Sequence, residues 1–278
     1  MVKKSNKTLD EKYQKKTQLE HIKELPDSYI GSVEKTEVSL WIHDGSDMVK
    51  KDINITPGFY KIFDEVLVNA IDHYVRSLSN KGKLKVSIIK VEIDEKSGLI
   101  SVYNNGEGID VAIHPKENIY IPTMIFGELL TSTNYDKSEK KITGGKNGFG
   151  AKLTNIFSKK FIIETVDSSR KLKFIQTFTD NMDKKTDPKI TKCSKDPYTK
   201  ITFLPDYPKF GMKKLNKDII ALLRKRVYDT AAITDGNVLV YINNKKIDCK
   251  TFEKYVDLYI GGKKDTPRIY EDINDRWE

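Results

Sequence analysis

Apolar positions along the chain change period several times, and the changes mark out its elements. From about Phe59 to Leu78, the residues Phe63, Val66, Leu67, Ala70, Tyr74 and Leu78 recur at helical spacing. Thr56-Pro57-Gly58 stands ahead of them as a helix-opening sequence. At about 100° per residue, Lys61, Glu65, Asn69, Asp72 and Arg76 share the opposite stripe. Alternation and β-branched residues then predict strands at Leu84–Ile93 and Leu99–Tyr103, joined as an antiparallel hairpin through Glu95-Lys96-Ser97-Gly98. Short helices are predicted at Thr123–Leu130 and Ala151–Ser158. Further strands are predicted at Lys160–Val166, Leu172–Thr179, Thr199–Leu204 and Val238–Asn243. A second long amphipathic helix spans Lys217–Ala232, and a last one Thr251–Tyr259. The first 20 residues are polar and Lys-rich and read as an extended or weakly helical arm. Interleaved helices and hairpins give an α+β class, a mostly antiparallel sheet covered on one face by helices, rather than a regular βαβ array.

Composition narrows this only a little. The 278 residues suffice for one large or two modest domains, and 38% hydrophobic content suffices for a buried core. No apolar run approaches the roughly 18 residues of a membrane span, and the basic N-terminus lacks the apolar segment of a signal peptide. Cys193 and Cys249 stand alone without metal-ligand spacing, which fits a reducing, intracellular setting. The 49 Lys+Arg against 40 Asp+Glu leave +9, compatible with a polyanion partner. The lysines are scattered, so a solvated surface describes most of them equally well.

Three polar clusters interrupt these elements. Glu65 and Asn69 lie one turn apart on one helix face and reach the same point. A carboxylate there can act as general base on water, and an amide oxygen can serve as one hard ligand to Mg²⁺. A solvated helix face would look the same. Asn104-Asn105-Gly106-Glu107-Gly108-Ile109 follows a strand directly. Its glycines let backbone approach a ligand, and Asn104 offers an acceptor and a donor to a base edge. An ordinary Asn/Gly turn is the other reading. Thr143–Lys152 contains four glycines and opens a helix, so it can present backbone N–H groups to phosphates, with Lys146 and Lys152 adding charge. It matches neither the Walker loop nor a Rossmann glycine pattern.

In this order and spacing the clusters resemble the Bergerat, or GHKL, ATP-binding fold shared by gyrase B, the ninety-kilodalton heat-shock chaperones, histidine kinases and MutL. Longer segments resemble one family within it, the N-terminal ATPase region of eukaryotic-type DNA topoisomerase II. They are Lys12–Lys16, Leu19–Ile22 and Pro26–Val33 in the arm, and Lys61–Ala70 on the first long helix. Ile125–Tyr135, the Thr143–Lys152 loop and Arg226–Asp229 complete them, so the similarity covers nearly the whole chain.

The resemblance implies a role for each matching residue. Glu65 is the general base, and Asn69 holds the Mg²⁺ that bridges the phosphates. Asn104 meets the adenine edge, supported by Thr199. Ser132, Thr133 and Asn134 contact ribose and phosphates. Gly145, Lys146, Asn147, Gly148, Phe149, Gly150, Ala151 and Lys152 wrap the phosphates. Tyr29 lies in the arm that reaches towards a partner protomer, so nucleotide binding closes a homodimer, the gate through which DNA passes. Weak, sequence-independent and salt-sensitive DNA binding goes with that role. A nuclear setting follows, or a host compartment for a viral member. The chain departs from the family at His73 and Lys146, where Asn and Arg are usual. The implied domains are an arm over 1–32, the ATPase domain over 33–265, and the start of a transducer domain over 266–278. A piece ending there is expected to bind nucleotide, turn it over weakly and leave DNA uncut. The alternatives are a chaperone-like or MutL-like ATPase, which lacks the Tyr29 and Thr131–Tyr135 segments, and a non-catalytic nucleotide- or DNA-binding regulatory fragment.

Overall fold

The computed structural model describes residues 15–79, 84–129, 148–234, 236–249, 251–271 and 273. Helix α1 (Gln18–Glu24) begins at a capping box: Thr17 Oγ1 accepts from Glu20 N at 3.2 Å, and Glu20 Oε2 accepts from Thr17 N at 2.8 Å. It and the single turn α2 (Asp27–Ile30) sink Ile22 and Ile30 into the core. The described end of the expected arm therefore lies on the body of the fold, where Lys23 also pairs with Asp183 at 2.5 Å.

Strands β1 (Thr36–His43) and β2 (Met48–Ile55) make a separate antiparallel hairpin. The long helix α3 (Pro57–Ser79) starts two residues before the periodic apolar stripe, with Pro57 leading. Phe59, Ile62, Phe63, Val66, Leu67 and Ala70 bury its core face. The polar stripe is less exposed than its composition suggests, since Asp72 is 5% exposed.

The main sheet comprises β3 (Ile88–Ile93), β4 (Ile100–Asn105), β5 (Ser158–Asp167), β6 (Leu172–Thr179), β7 (Lys184–Lys185), β8 (Lys189–Lys192), β9 (Tyr198–Pro205), β10 (Leu239–Ile242) and β11 (Lys245–Lys246). Its order is β11-β10-β3-β4-β9-β5-β6-β7, with β8 on β6. Every pairing is antiparallel except β10 with β3. The predicted α+β class and the β3–β4 hairpin hold. β3 begins at Ile88 rather than Leu84, because Asn105 Oδ1 accepts from Ser87 N and Ile88 N and pins the entry to the strand.

Register places the inward side chains of the central strands in rows. Ile93, Ile100, Phe203, Phe161 and Phe178 form one row; Val91, Val102, Ile201, Ile163 and Gln176 form the next. The third reads Ile89, Asn104, Thr199, Thr165 and Phe174. Against this face pack α3, α4 (Ile121–Gly127), α5 (Gly150–Ile156) and α6 (Lys217–Ala232). Helix α4 starts and stops earlier than the predicted Thr123–Leu130, with Pro122 in its first turn. The opposite face carries half-exposed Tyr103, Tyr198, Glu164 and Lys200. Helix α7 (Phe252–Ile260) is the last described helix. Among the described residues no helix is long and apolar enough to cross a membrane.

His43 ends β1 in a buried place, its ring stacked 4.0 Å from that of Tyr228. Its Nδ1 accepts from Gly45 N, whereas Nε2 has no hydrogen-bond partner among the described residues. Burial, with Arg224 nearby, pushes its pKa below the ordinary imidazole value. The unfolded chain therefore binds this proton first, and stability is lost as pH falls through the unfolded value of about 6.5 towards the folded one. Urea titrations between neutral and mildly acidic pH should show that slope, and His43→Asn should flatten it.

Candidate functional site

Glu65 and Asn69 sit on α3 where the helix passes the start of α5. Lys61 Nζ lies 2.5 Å from Glu65 Oε1. The other oxygen, Oε2, faces Gly150, where a Cβ would overlap it. Glycine at position 150 thus lets the carboxylate approach the first turn of α5. Two hydrogen bonds near its C-terminal end hold α5 in place. Thr154 Oγ1 donates to Ile62 O of α3 at 2.7 Å, and Asn155 Nδ2 donates to Phe126 O of α4 at 3.0 Å. One residue before Glu65, Asp64 accepts from Arg226 Nε at 2.7 Å and fixes α3 to α6. Burial opposes the Arg226 charge, but Asp64 more than offsets it and raises the guanidinium pKa.

Gly148 precedes α5 at φ +68°, in the left-handed region. Phe149 follows it, with the Tyr29 ring 6.4 Å away, and Tyr29 OH meets His21 Nδ1 at 2.9 Å. Tyr29 thus packs against the end of the glycine loop of its own chain. Lys152, expected to add charge to the loop, turns inward. Its side chain is buried and Nζ donates to Gly148 O at 2.7 Å. Burial lowers its pKa to about 8, while Glu128 acts in the opposite sense. The ammonium thus reaches the carbonyl of Gly148, at the turn that leads into α5.

The third row of the sheet supplies the far end of the site. Asn104 is 6% exposed and lies on the helix-facing side of β4, directly opposite Thr199. Thr199 Oγ1 meets Thr165 Oγ1 at 3.2 Å, and Thr165 also binds Tyr198 O and Ile109 N. Asn105 points to the other face, where its amide serves β3 and Ser87. The Asn-Asn pair is thereby divided into a pocket residue and a structural one. Gly106 and Gly108 follow at φ +113° and +72°.

Glu65 and the start of α5 thus meet beside the middle of α3, and Asn104, with Thr199 opposite it, reaches the same helix at His73, one turn beyond Asn69. Ser132, Thr133, Asn134, Gly145, Lys146 and Asn147 lie outside the described residues. Three supporting side chains escaped the reading from sequence. Lys61 was legible as a helical i,i+4 partner of Glu65. Thr165 was legible as a polar residue at an inward position of an apolar strand, whereas Thr154 carried no signal.

Residues 54–204 match the family model of the histidine kinase-, DNA gyrase B- and HSP90-like ATPases. Over 99% of its length the chain is 52% identical to DNA topoisomerase 2 of Acanthamoeba polyphaga mimivirus, and over 98% it is 50% identical to that of Arabidopsis thaliana. It superposes on the ATPase region of Saccharomyces cerevisiae topoisomerase II with a TM-score of 0.89 and 49% identity. That match covers 96% of this chain and 69% of the yeast one. The chain belongs to the type II topoisomerase ATPase-region family. The 43K ATPase domain of Thermus thermophilus gyrase B, at TM-score 0.57 and 20% identity, shares the fold. The Bergerat architecture expected from the three clusters is therefore confirmed, and the chain is a nucleotide-binding ATPase module. It spans 22% and 18% of the lengths of the mimivirus and Arabidopsis relatives.

Proposed function

We propose that the chain binds ATP with Mg²⁺ between α3, β4 and the start of α5, closes a dimeric gate on binding it, and hydrolyses it during DNA strand passage by a type II topoisomerase. The observation that carries this is the Glu65 carboxylate: one oxygen is held by Lys61, and the other faces the first turn of α5, one helical turn from Asn69. Asn104 takes the adenine edge, with Thr199 and Thr165 behind it. Gly145–Lys152 and Ser132–Asn134 take the phosphates and ribose. Glu65 accepts a proton from water as the water oxygen bonds to the γ-phosphorus and ADP departs.

The residues present fit Mg²⁺. Asn69 is half-buried with no hydrogen-bond partner among the described residues, so its amide oxygen is available as a single neutral ligand. Mg²⁺ takes few protein ligands and fills its shell from water and phosphate. When bound, it supplies neutralisation of phosphate charge. Tyr29, packed on Phe149, links the arm to the phosphate loop, which supports nucleotide-driven closure with a second copy. The +9 charge supports weak, sequence-independent DNA contact in an intracellular setting, nuclear or in a virus-infected host cell. Nothing in the structure favours the non-catalytic reading.

Calorimetry with a non-hydrolysable ATP analogue tests the proposal. Binding is expected to depend on Mg²⁺, and Asn69→Ala should lower affinity about tenfold with Mg²⁺ present, the cost of about 1.4 kcal/mol for one hard ligand contact. Without Mg²⁺ the variant and the parent should bind alike. A folded sample that binds no analogue overturns the nucleotide-site reading.

A further inference from the structure

Asn104 Nδ2 makes two contacts, with Asn105 O at 2.8 Å and His73 Nδ1 at 2.8 Å. The first identifies the ends of the amide, because an amide oxygen in that place would oppose a carbonyl oxygen. Nδ2 carries two protons, so the second is donated to His73 Nδ1. His73 must then accept through Nδ1, as a neutral ring with its proton on Nε2. Both donor protons of Asn104 are engaged, and Oδ1, without a partner among the described residues, is the end left for a ligand. An acceptor there matches the 6-amino group of adenine and opposes the 6-oxo group of guanine or hypoxanthine.

We propose that His73 is a positioning residue that fixes the amide orientation of Asn104, makes the base pocket selective for a 6-aminopurine, and loses that hold when its ring is protonated. The proposal rests on the reading of Asn104 as the base-edge contact. A protonated ring would set an N–H against an N–H. Turning the amide relieves this, but it points Oδ1 at Asn105 O and presents a donor to the base. In either arrangement 6-aminopurine binding and protonation oppose each other, so selectivity falls with pH.

The ring's surroundings leave His73 the natural site of this response. Beside Asn104 it faces Gly106, where a Cβ would lie 3.1 Å from His73 Cε1 and 3.0 Å from Val86 Cγ2. None of these three neighbours is ionisable. Among the described residues, the charged groups on the surrounding elements are Asp72 and Arg76 on α3, Lys85 beside Val86, and Glu107 beside Gly106.

The test measures a ratio. Affinities of non-hydrolysable adenosine and inosine triphosphate analogues are compared, with Mg²⁺, at about pH 8 and about pH 5.5, either side of the ordinary imidazole value of about 6.5. Ionisation of the phosphates is common to both ligands and cancels. The preference for adenosine is expected to fall about tenfold on acidification, equivalent to one unit of linked protonation. His73→Asn, whose amide oxygen can accept without titrating, should keep a constant preference. His73→Phe, which fills the space without an acceptor, should lower the preference at both pH values. A preference independent of pH in the parent chain, or the same fall in His73→Asn, overturns the proposal while leaving the nucleotide site intact. Failure of a folded sample to bind either analogue at any pH overturns the base-site reading and this one with it.

Discussion

Replacing Glu65 with alanine is expected to lower ATP hydrolysis by about 10²–10⁴-fold, the usual cost of losing a positioned general base, while nucleotide affinity stays unchanged. The separation follows from where the side chain sits. Its oxygens meet Lys61 and the start of α5, whereas the proposed base-edge contact is Asn104 on β4. Removal of the carboxylate leaves Lys61 without this partner, but that side chain is 46% exposed. The stability cost is therefore that of an exposed helical pair, about 0.3–0.5 kcal/mol. Glu65→Gln is the stricter variant, since it keeps the shape and removes only the basicity. Single-turnover hydrolysis with protein in excess over ATP resolves even slow chemistry. Undiminished hydrolysis in either variant would remove Glu65 from the chemical step. Loss of binding together with hydrolysis would make it a structural residue.

Much of this site could be read from residue order. The periodicity around Phe63 and Val66 placed Glu65 and Asn69 on one face, and of the Thr143–Lys152 loop, read as anion-binding, the residues from Gly148 onward are described and open a helix. Asn104 was placed just after the strand Leu99–Tyr103, and its sheet face is set by the pairing of β4 with β9. Other features depend on pairing that periodicity does not encode. The β1–β2 hairpin has alternating Val38, Leu40 and Ile42 and a turn at Asp44-Gly45, but Trp41 points outward and Lys50-Lys51-Asp52 interrupts the return strand. Its apolar side is satisfied by Ala221 and Leu222 of α6, a contact that neither strand announces. Strand β11 is two residues long and exists because Asn243 and Asn244 both adopt positive φ, which closes a two-residue hairpin. The inward turn of Lys152 reverses the usual expectation for lysine. It occurs because Gly148 O is within reach of its ammonium inside the packed helix. His73 looked like a departure on a helix surface, and only the pairing of α3 with β4 shows it holding Asn104.

Gly108→Ala is expected to be the most destabilising substitution near the site, at about 3 kcal/mol or more, because two penalties coincide there. Gly108 adopts φ +72°, a conformation costing other residues roughly 1–2 kcal/mol. In addition, a Cβ would overlap Val166 O, lie 2.8 Å from Val166 C and come 3.2 Å from Thr165 Oγ1. Val166 belongs to β5, paired on both sides by β6 and β9, so its backbone cannot step aside. Relief by moving the turn would break the 2.9 Å bond from Ile109 N to Thr165 Oγ1 and disturb the Thr165–Thr199 contact behind Asn104. Adenine-nucleotide affinity should therefore fall along with stability. Gly31→Ala supplies the matched control, since Gly31 has φ +79° and nothing within 4 Å of its would-be Cβ. It carries backbone strain, at φ +79° and ψ −176°, without the collision and should cost about 1–3 kcal/mol with nucleotide binding unchanged. Urea denaturation of both variants, paired with analogue binding, separates the two terms. Equal losses at the two positions would mean that conformation alone demands glycine at 108, and that close packing against β5 plays no part in shaping the base pocket.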